Sequence, residues 1–179
     1  SINNDKYEFI LPNYNLTKTI KTNNNLKGNL SFNSAGTNYI YETNVVESQI
    51  VNDLSYQSEN KFLSSGIVNK YNILFKNVNS NGKNSSKYRD KTQLEMLSSL
   101  IFESSYPLMR EGINFKNYFT PRLSLRYSPN NMRNLKNEKR KIDINNIFAA
   151  NRIGFHDTIE PGQSLTIGTE YIKTNKKNN

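Results

Sequence analysis

His156, Asp157 and Glu160 stand close enough in the chain to do chemistry together. His156 is the only histidine, so a Ser-His-Asp relay would have to run through it. A metal needs a denser set of His, Cys, Asp or Glu at ligand spacing, and His156, Asp157 and Glu160 make a thin one. A plainer reading serves these residues better: His156 at a strand end, and Asp157 and Glu160 as carboxylates paired with Arg of neighbouring strands. Gly-rich phosphate loops, a Gly-x-Ser-x-Gly elbow and an EF-hand loop are all missing from the sequence. The residues therefore predict no catalytic group, no metal site, no cofactor and no enzyme.

Charge is the second chemical feature. The 179 residues carry a net +9, and from Arg110 to Arg152 ten basic side chains face three acidic ones, a local +7. The basic set includes Arg122, Arg126, Arg133, Lys136, Arg140 and Lys141. Such a span is either a solvated loop in a Lys-rich chain or an attractor for a polyanion, nucleic acid or a phosphorylated glycolipid head. Charge alone does not choose between these.

The elements that would position these groups read as strands. Around residue 125, Leu123, Leu125 and Tyr127 alternate with Arg122, Ser124 and Arg126. Near the end, Leu165, Ile167 and Tyr171 alternate with Thr166, Gly168 and Glu170. A period of two is the signature of a β-strand with two different faces. Strands are predicted at roughly 7–20, 26–34, 38–47, 49–58, 66–77, 92–105, 113–127, 147–156 and 163–173. Turn signals lie between them at Asn23-Asn24-Asn25, Ser34-Ala35-Gly36 and Asn79-Ser80-Asn81-Gly82. Longer polar loops are expected at 77–90 and 129–146. Leu94, Leu97, Leu100 and Ile101 have helical spacing, yet 91–103 is read as a strand. Pro12, Pro107, Pro121, Pro129 and Pro161 should each mark a strand end, a bulge or a weak edge, because proline cannot donate to the ladder.

Hydrophobic residues make up 35% of the chain, below the 45–50% of ordinary globular domains, but aromatics are plentiful. That suits a sheet with one wet face better than a compact core or a disordered chain. Cysteine is absent, which excludes disulfides and thiolate metal sites within the chain. No run of about 18 apolar residues is present to make a membrane-spanning helix.

The last third also carries a family likeness. A strand holding Pro121, Leu123, Leu125 and Tyr127 ends in Ser128-Pro129, and a basic loop follows. Then come Ile142, Asp143, Asn146, Ile147 and Phe148, the pair Asn151-Arg152, and Asp157, Ile159, Glu160, Gly162, Thr166 and Gly168. In this order the residues resemble the C-terminal β-barrel region of the LPS-assembly protein LptD family, also called organic solvent tolerance proteins. Phe9-Ile10-Leu11-Pro12 with Tyr14 is similar to a mid-barrel strand of that family. Departures are Thr158 and Ser164, where the family usually has Arg, and a glycine displaced to Gly154.

The resemblance implies a partial all-β, antiparallel outer-membrane barrel over residues 1–179, an internal piece without the family's periplasmic jelly-roll domain and some barrel strands. It implies a place in the cell outer membrane and a part in a translocon that assembles lipopolysaccharide into the outer leaflet. Its implied partners are lipopolysaccharide, an LptE-like plug lipoprotein and the periplasmic Lpt bridge proteins, with no nucleic acid. On this reading Arg122, Ser124, Arg126, Asp157 and Glu160 face the lumen, while Leu123, Leu125, Tyr127, Leu165, Ile167 and Tyr171 face lipid. Two other classes remain open: a different outer-membrane barrel, porin or receptor, and a soluble basic β-protein that binds nucleic acid.

Overall fold

A computed structural model describes residues 8–22, 27–131 and 142–176. Nine antiparallel strands form one sheet: β1 (Glu8–Ile20), β2 (Gly28–Tyr41), β3 (Val46–Ser58), β4 (Lys61–Phe62), β5 (Val68–Lys83), β6 (Gln93–Ser105), β7 (Leu108–Glu111), β8 (Phe115–Ser128) and β9 (Gly162–Asn175). The fold is all-β, and no α-helix occurs among the described residues. Each strand pairs with the next, save that β4 and β7 prolong β3 and β6 along the same neighbours, β5 and β8. With those two extensions set aside, seven long strands make a meander of 13 to 16 residues each. The sheet is open, with β1 and β9 as its outer strands.

The prolines sit where pairing fails. The β1–β2 register shifts across Pro12, between Ile10 and Asn13. Pro107 lies in the gap between β6 and β7, and beside it the Tyr106 N–H donates to the Pro121 carbonyl at 3.0 Å. Pro129 follows β8 directly and Pro161 directly precedes β9. Over 91–103 the helical spacing yields to pairing. Leu94, Met96 and Leu100 emerge on one face of β6, and Ser99 and Ile101 are buried on the other.

Three sequence expectations are corrected. Ser34-Ala35-Gly36 is not a turn but the middle of β2, which replaces the predicted strands at 26–34 and 38–47. A β-carbon on Gly36 would collide with the Tyr14 ring, so the glycine gives that ring its seat inside the ladder. The chain reverses instead after Tyr41, where Asn44 adopts φ 60° and its N–H bonds the Tyr41 carbonyl at 3.1 Å. Asn79-Ser80-Asn81-Gly82 likewise continues β5, paired with Gln49, Ile50 and their neighbours, and the turn comes at Asn84 with φ 55°. Among the described residues, the stretches outside the strands that result are 84–92, 129–131 and 142–161. The predicted strand at 147–156 is a series of turns, closed locally by Ile147 N to Asp143 O at 2.9 Å and Ala149 N to Asn146 O at 2.8 Å. The predicted turn at Asn23-Asn24-Asn25 and the basic cluster Arg133 to Lys141 fall outside the described residues.

Paired residues on antiparallel strands point to the same side of a sheet. The two sides differ sharply. One, the covered side, holds Val51, Val78, Ile101, Ser124 and Arg126, all buried, with the 142–161 connection lying on it. The other, the bare side, presents large apolar side chains to the outside: Phe75 is 52% exposed, Leu125 47% and Ile167 73%. A soluble sheet would bury its apolar side and wet its polar one. Here the arrangement is inverted.

Candidate functional site: a polar face braced by the β8–β9 connection

The connection is tied down at points spread over four strands, β3, β5, β8 and β9. Arg126 of β8 is buried and spends its two terminal nitrogens on backbone carbonyls, Nη1 on Ala150 at 2.7 Å and Nη2 on Ala149 at 2.8 Å. Lys76 of β5, also buried, bonds Asp53 of β3 and the His156 carbonyl, both at 2.5 Å. A buried cation without such partners would cost several kcal/mol, of order 3–5 when a pair is broken. Carbonyls turned away from any ladder are thus taken up by strand cations, and for this reason the segment can leave the sheet pattern.

Arg152 and Glu160 close the connection on itself. Nε donates to Oε2 and Nη2 to Oε1, and the same guanidinium reaches Ser164 Oγ at 2.9 Å and Thr166 Oγ1 at 3.4 Å on β9. The Glu160 carboxylate holds the Arg152 guanidinium above its ordinary range against the opposing effect of burial. Glu160 is therefore paired within the connection and not with an Arg of a neighbouring strand, the expected partner. Asp157 Oδ2 accepts from Gln49 Nε2 of β3 at 3.3 Å.

The other motif residues gather on the same surface. Phe148 lies over Gly168, where a β-carbon would stand 3.0 Å from its ring, and its ring faces the Arg122 guanidinium at 4.5 Å. Arg122 also approaches Glu103 at 3.9 Å, and Glu103 meets Lys70 at 3.5 Å. Asp143 Oδ1 accepts from Asn145 N at 2.8 Å, and Asn146 Oδ1 from Asp143 N at 2.8 Å. Asn151 bridges Phe155 O and Gly154 N at 2.7 and 3.0 Å. Ile159 is buried, Gly162 opens β9, and Pro121 stands in β8 opposite Thr169. A cavity of about 260 Å³ remains under the connection, bounded by Asn33, Asp53, Lys76, Asn151 and Thr158 among others.

On the bare side, Leu125 pairs with Leu165, Leu123 with Ile167 and Phe119 with Tyr171, so Leu123, Leu125, Tyr127, Leu165, Ile167 and Tyr171 share one face. Arg122, Ser124 and Arg126, opposite Gly168, Thr166 and Ser164, point the other way.

Nothing in this arrangement forms a relay. His156 Nε2 sits 3.0 Å from Gln49 Oε1, not from a hydroxyl nucleophile, and its own carbonyl is held by Lys76. Among the described residues no group of three or more His, Cys, Asp or Glu could hold a metal ion. Sequence reasoning missed Gln49, Asp53, Lys76 and Glu103. Each stands at an inward position of an alternating strand, and that alternation was the one available signal. Compared with protein-family models, curated proteins and solved structures, the chain matches none.

Proposed function

We propose that this chain is wall and lumen lining of an outer-membrane β-barrel of the LptD kind, a non-enzymatic translocon that delivers lipopolysaccharide to the outer leaflet. The observation that carries this reading is the inverted sheet. Apolar side chains from the long strands stand exposed on one side, and buried Arg, Lys, Ser and Thr line the other. Lipid solvates the first side at no cost, and water or sugar the second, which is the partition a transmembrane barrel imposes on alternating strands. The strand lengths of 13 to 16 residues also exceed the roughly 9–11 needed to cross a bilayer. In such a barrel the open edges β1 and β9 pair with further strands, because no unpaired edge survives in hydrocarbon.

The likeness of the Pro121–Gly168 residues to the LptD family supports the narrower assignment, and with it lipopolysaccharide, an LptE-like plug and the periplasmic Lpt bridge as partners. Nucleic-acid binding fits less well. Arg126 has both terminal nitrogens committed to carbonyls, and Arg152 is buried against Glu160.

The test is fractionation of the protein made in a Gram-negative cell, followed by alkaline and high-salt washing of the membranes. Retention in the outer membrane until detergent is added is expected. Release by salt or alkali, with binding to a polyanion, would overturn the barrel reading.

A further inference from the structure

Where β7, β8 and β9 run side by side, two cations stand on the bare side. Arg110, Asn117 and Lys173 form one ladder row, and Leu108, Phe119 and Tyr171 form the next row on the same face. Among the described residues neither cation is paired with a carboxylate, and Lys173 lies over the Phe115 ring at 4.0 Å. The acids nearest in the chain, Glu111 and Glu170, alternate to the covered side, where Glu111 meets Lys176 at 2.7 Å and Lys116 at 4.0 Å. Between the cations, Asn117 Oδ1 accepts from Tyr171 Oη at 2.9 Å, which leaves the Asn117 Nδ2 group as a donor. Two positive charges flanking an amide donor suit an anion that only accepts hydrogen bonds.

An apolar furrow leads away from this row along β8. A groove of about 360 Å³ lies over Asn117 and Phe119, with Leu108 and Arg110 on one bank and Tyr171 on the other. A second, of about 370 Å³, follows on the same strand over Pro121 and Leu123, bounded by Tyr106 and Ile167. From Asn117 to Leu123 the strand advances six residues, about 20 Å at roughly 3.3 Å each. At the tilt of barrel strands that length projects to about 15 Å, half of a bilayer's hydrocarbon. A lipid with its head at the Asn117 row would thus lay one chain in the furrow and end it beside Leu123.

We infer, resting on the membrane-wall reading, that Arg110, Asn117 and Lys173 bind the phosphate of an anionic glycerophospholipid whose acyl chain lies in the furrow along β8. The Arg110 fork matches two phosphate oxygens, Lys173 adds a point charge, and the Asn117 amide donates between them. The connection from β8 to β9 leaves from the opposite end of the strands. Barrels of the outer membrane keep long loops outside and short turns on the periplasmic side. That polarity assigns the bound lipid to the inner leaflet, which holds phospholipid and not lipopolysaccharide. A zwitterionic headgroup brings its own ammonium and gains less from two cations, so selectivity for net negative charge is the signature of the site.

The sequence has no tryptophan, so a single introduced one reports alone. Phe119→Trp sets an indole in the groove of the full protein, reconstituted in vesicles that mix phosphatidylglycerol and phosphatidylcholine of equal chain length. One lipid at a time carries bromine on its acyl chains, which quenches only an adjacent indole. With about a fivefold gain per cation, phosphatidylglycerol should be preferred roughly tenfold or more, and Arg110→Gln or Lys173→Gln should each lower that preference about fivefold. Quenching in proportion to vesicle composition, or a preference that neither substitution lowers, would remove the phosphate site yet leave the membrane wall standing. No quenching by either lipid would remove the wall and the site with it. Leu108→Trp, on the bank of the same groove, decides the question if Phe119→Trp fails to fold.

Discussion

Arg152 grips Glu160 through two parallel hydrogen bonds of 2.5 Å, across eight residues of a connection that has no regular secondary structure. Neither residue belongs to a strand, yet their pairing places a guanidinium against Ser164 and Thr166 of β9. The fork geometry matches a planar guanidinium to a carboxylate and has no equivalent for Lys.

Breaking that pair should be costly in one direction only. Glu160→Gln leaves the Arg152 charge, 8% exposed, without its carboxylate, and should destabilise by about 3–5 kcal/mol. Joint replacement of both residues by Met should recover much of the loss, since no buried charge is then stranded. Thermal or urea unfolding in detergent micelles measures both. A double variant as unstable as Glu160→Gln would refute the argument.

Arg126→Lys should release the connection without disturbing the sheet. A single ammonium cannot span the carbonyls of Ala149 and Ala150 as the guanidinium does. Limited proteolysis between residues 142 and 161 should become markedly faster, while the strands stay resistant. Unchanged cleavage would show that the remaining anchors, Lys76 and Arg152, hold the segment alone.

Gly168→Val should displace Phe148. The first added carbon already stands 3.0 Å from the ring, and overpacking of this kind costs about 1–3 kcal/mol. The ring would lift from Arg122, now 4.5 Å away, and a shift in the ring signals of a labelled Phe148 would report it.

Ile167→Arg distinguishes a lipid-facing wall from a wetted one. At 73% exposure the residue would accept Arg in water with a change within about 0.5 kcal/mol. Within hydrocarbon the same change costs about 2–4 kcal/mol near the midplane. Folding equilibria in lipid vesicles supply the measurement, and a near-neutral result would argue for a soluble surface.

Purified without detergent, residues 1–179 should associate and fail to yield a monodisperse monomer. Two open edges, β1 and β9, lie beside an exposed apolar side, and both invite intermolecular pairing. Size-exclusion chromatography with light scattering decides this. A stable monomer with cooperative unfolding would mean that the bare side is content in water.

Alternation by itself determined β8 and β9 and their two sides. Leu123, Leu125 and Tyr127 against Arg122, Ser124 and Arg126 need only a period of two, a local property of the chain, and pairing of β8 with β9 preserves it. The prolines were legible for the same reason, since a missing N–H is written in the residue. At 91–103 the helical spacing of Leu94, Leu97, Leu100 and Ile101 competes with the strand reading, and pairing of β6 with β5 along its length bears the strand out. Turn chemistry misled at Gly36 and at Asn79–Gly82, because a glycine beneath a ring and amides on an outward row look like turns until their neighbours are known. The fate of residues 147–156 was decided only in three dimensions. Their carbonyls had a choice between a ladder and the cations of distant strands, and Arg126 and Lys76, brought onto the same side of the sheet, took them. Such long-range capture leaves no periodicity in the chain, whereas strand alternation does.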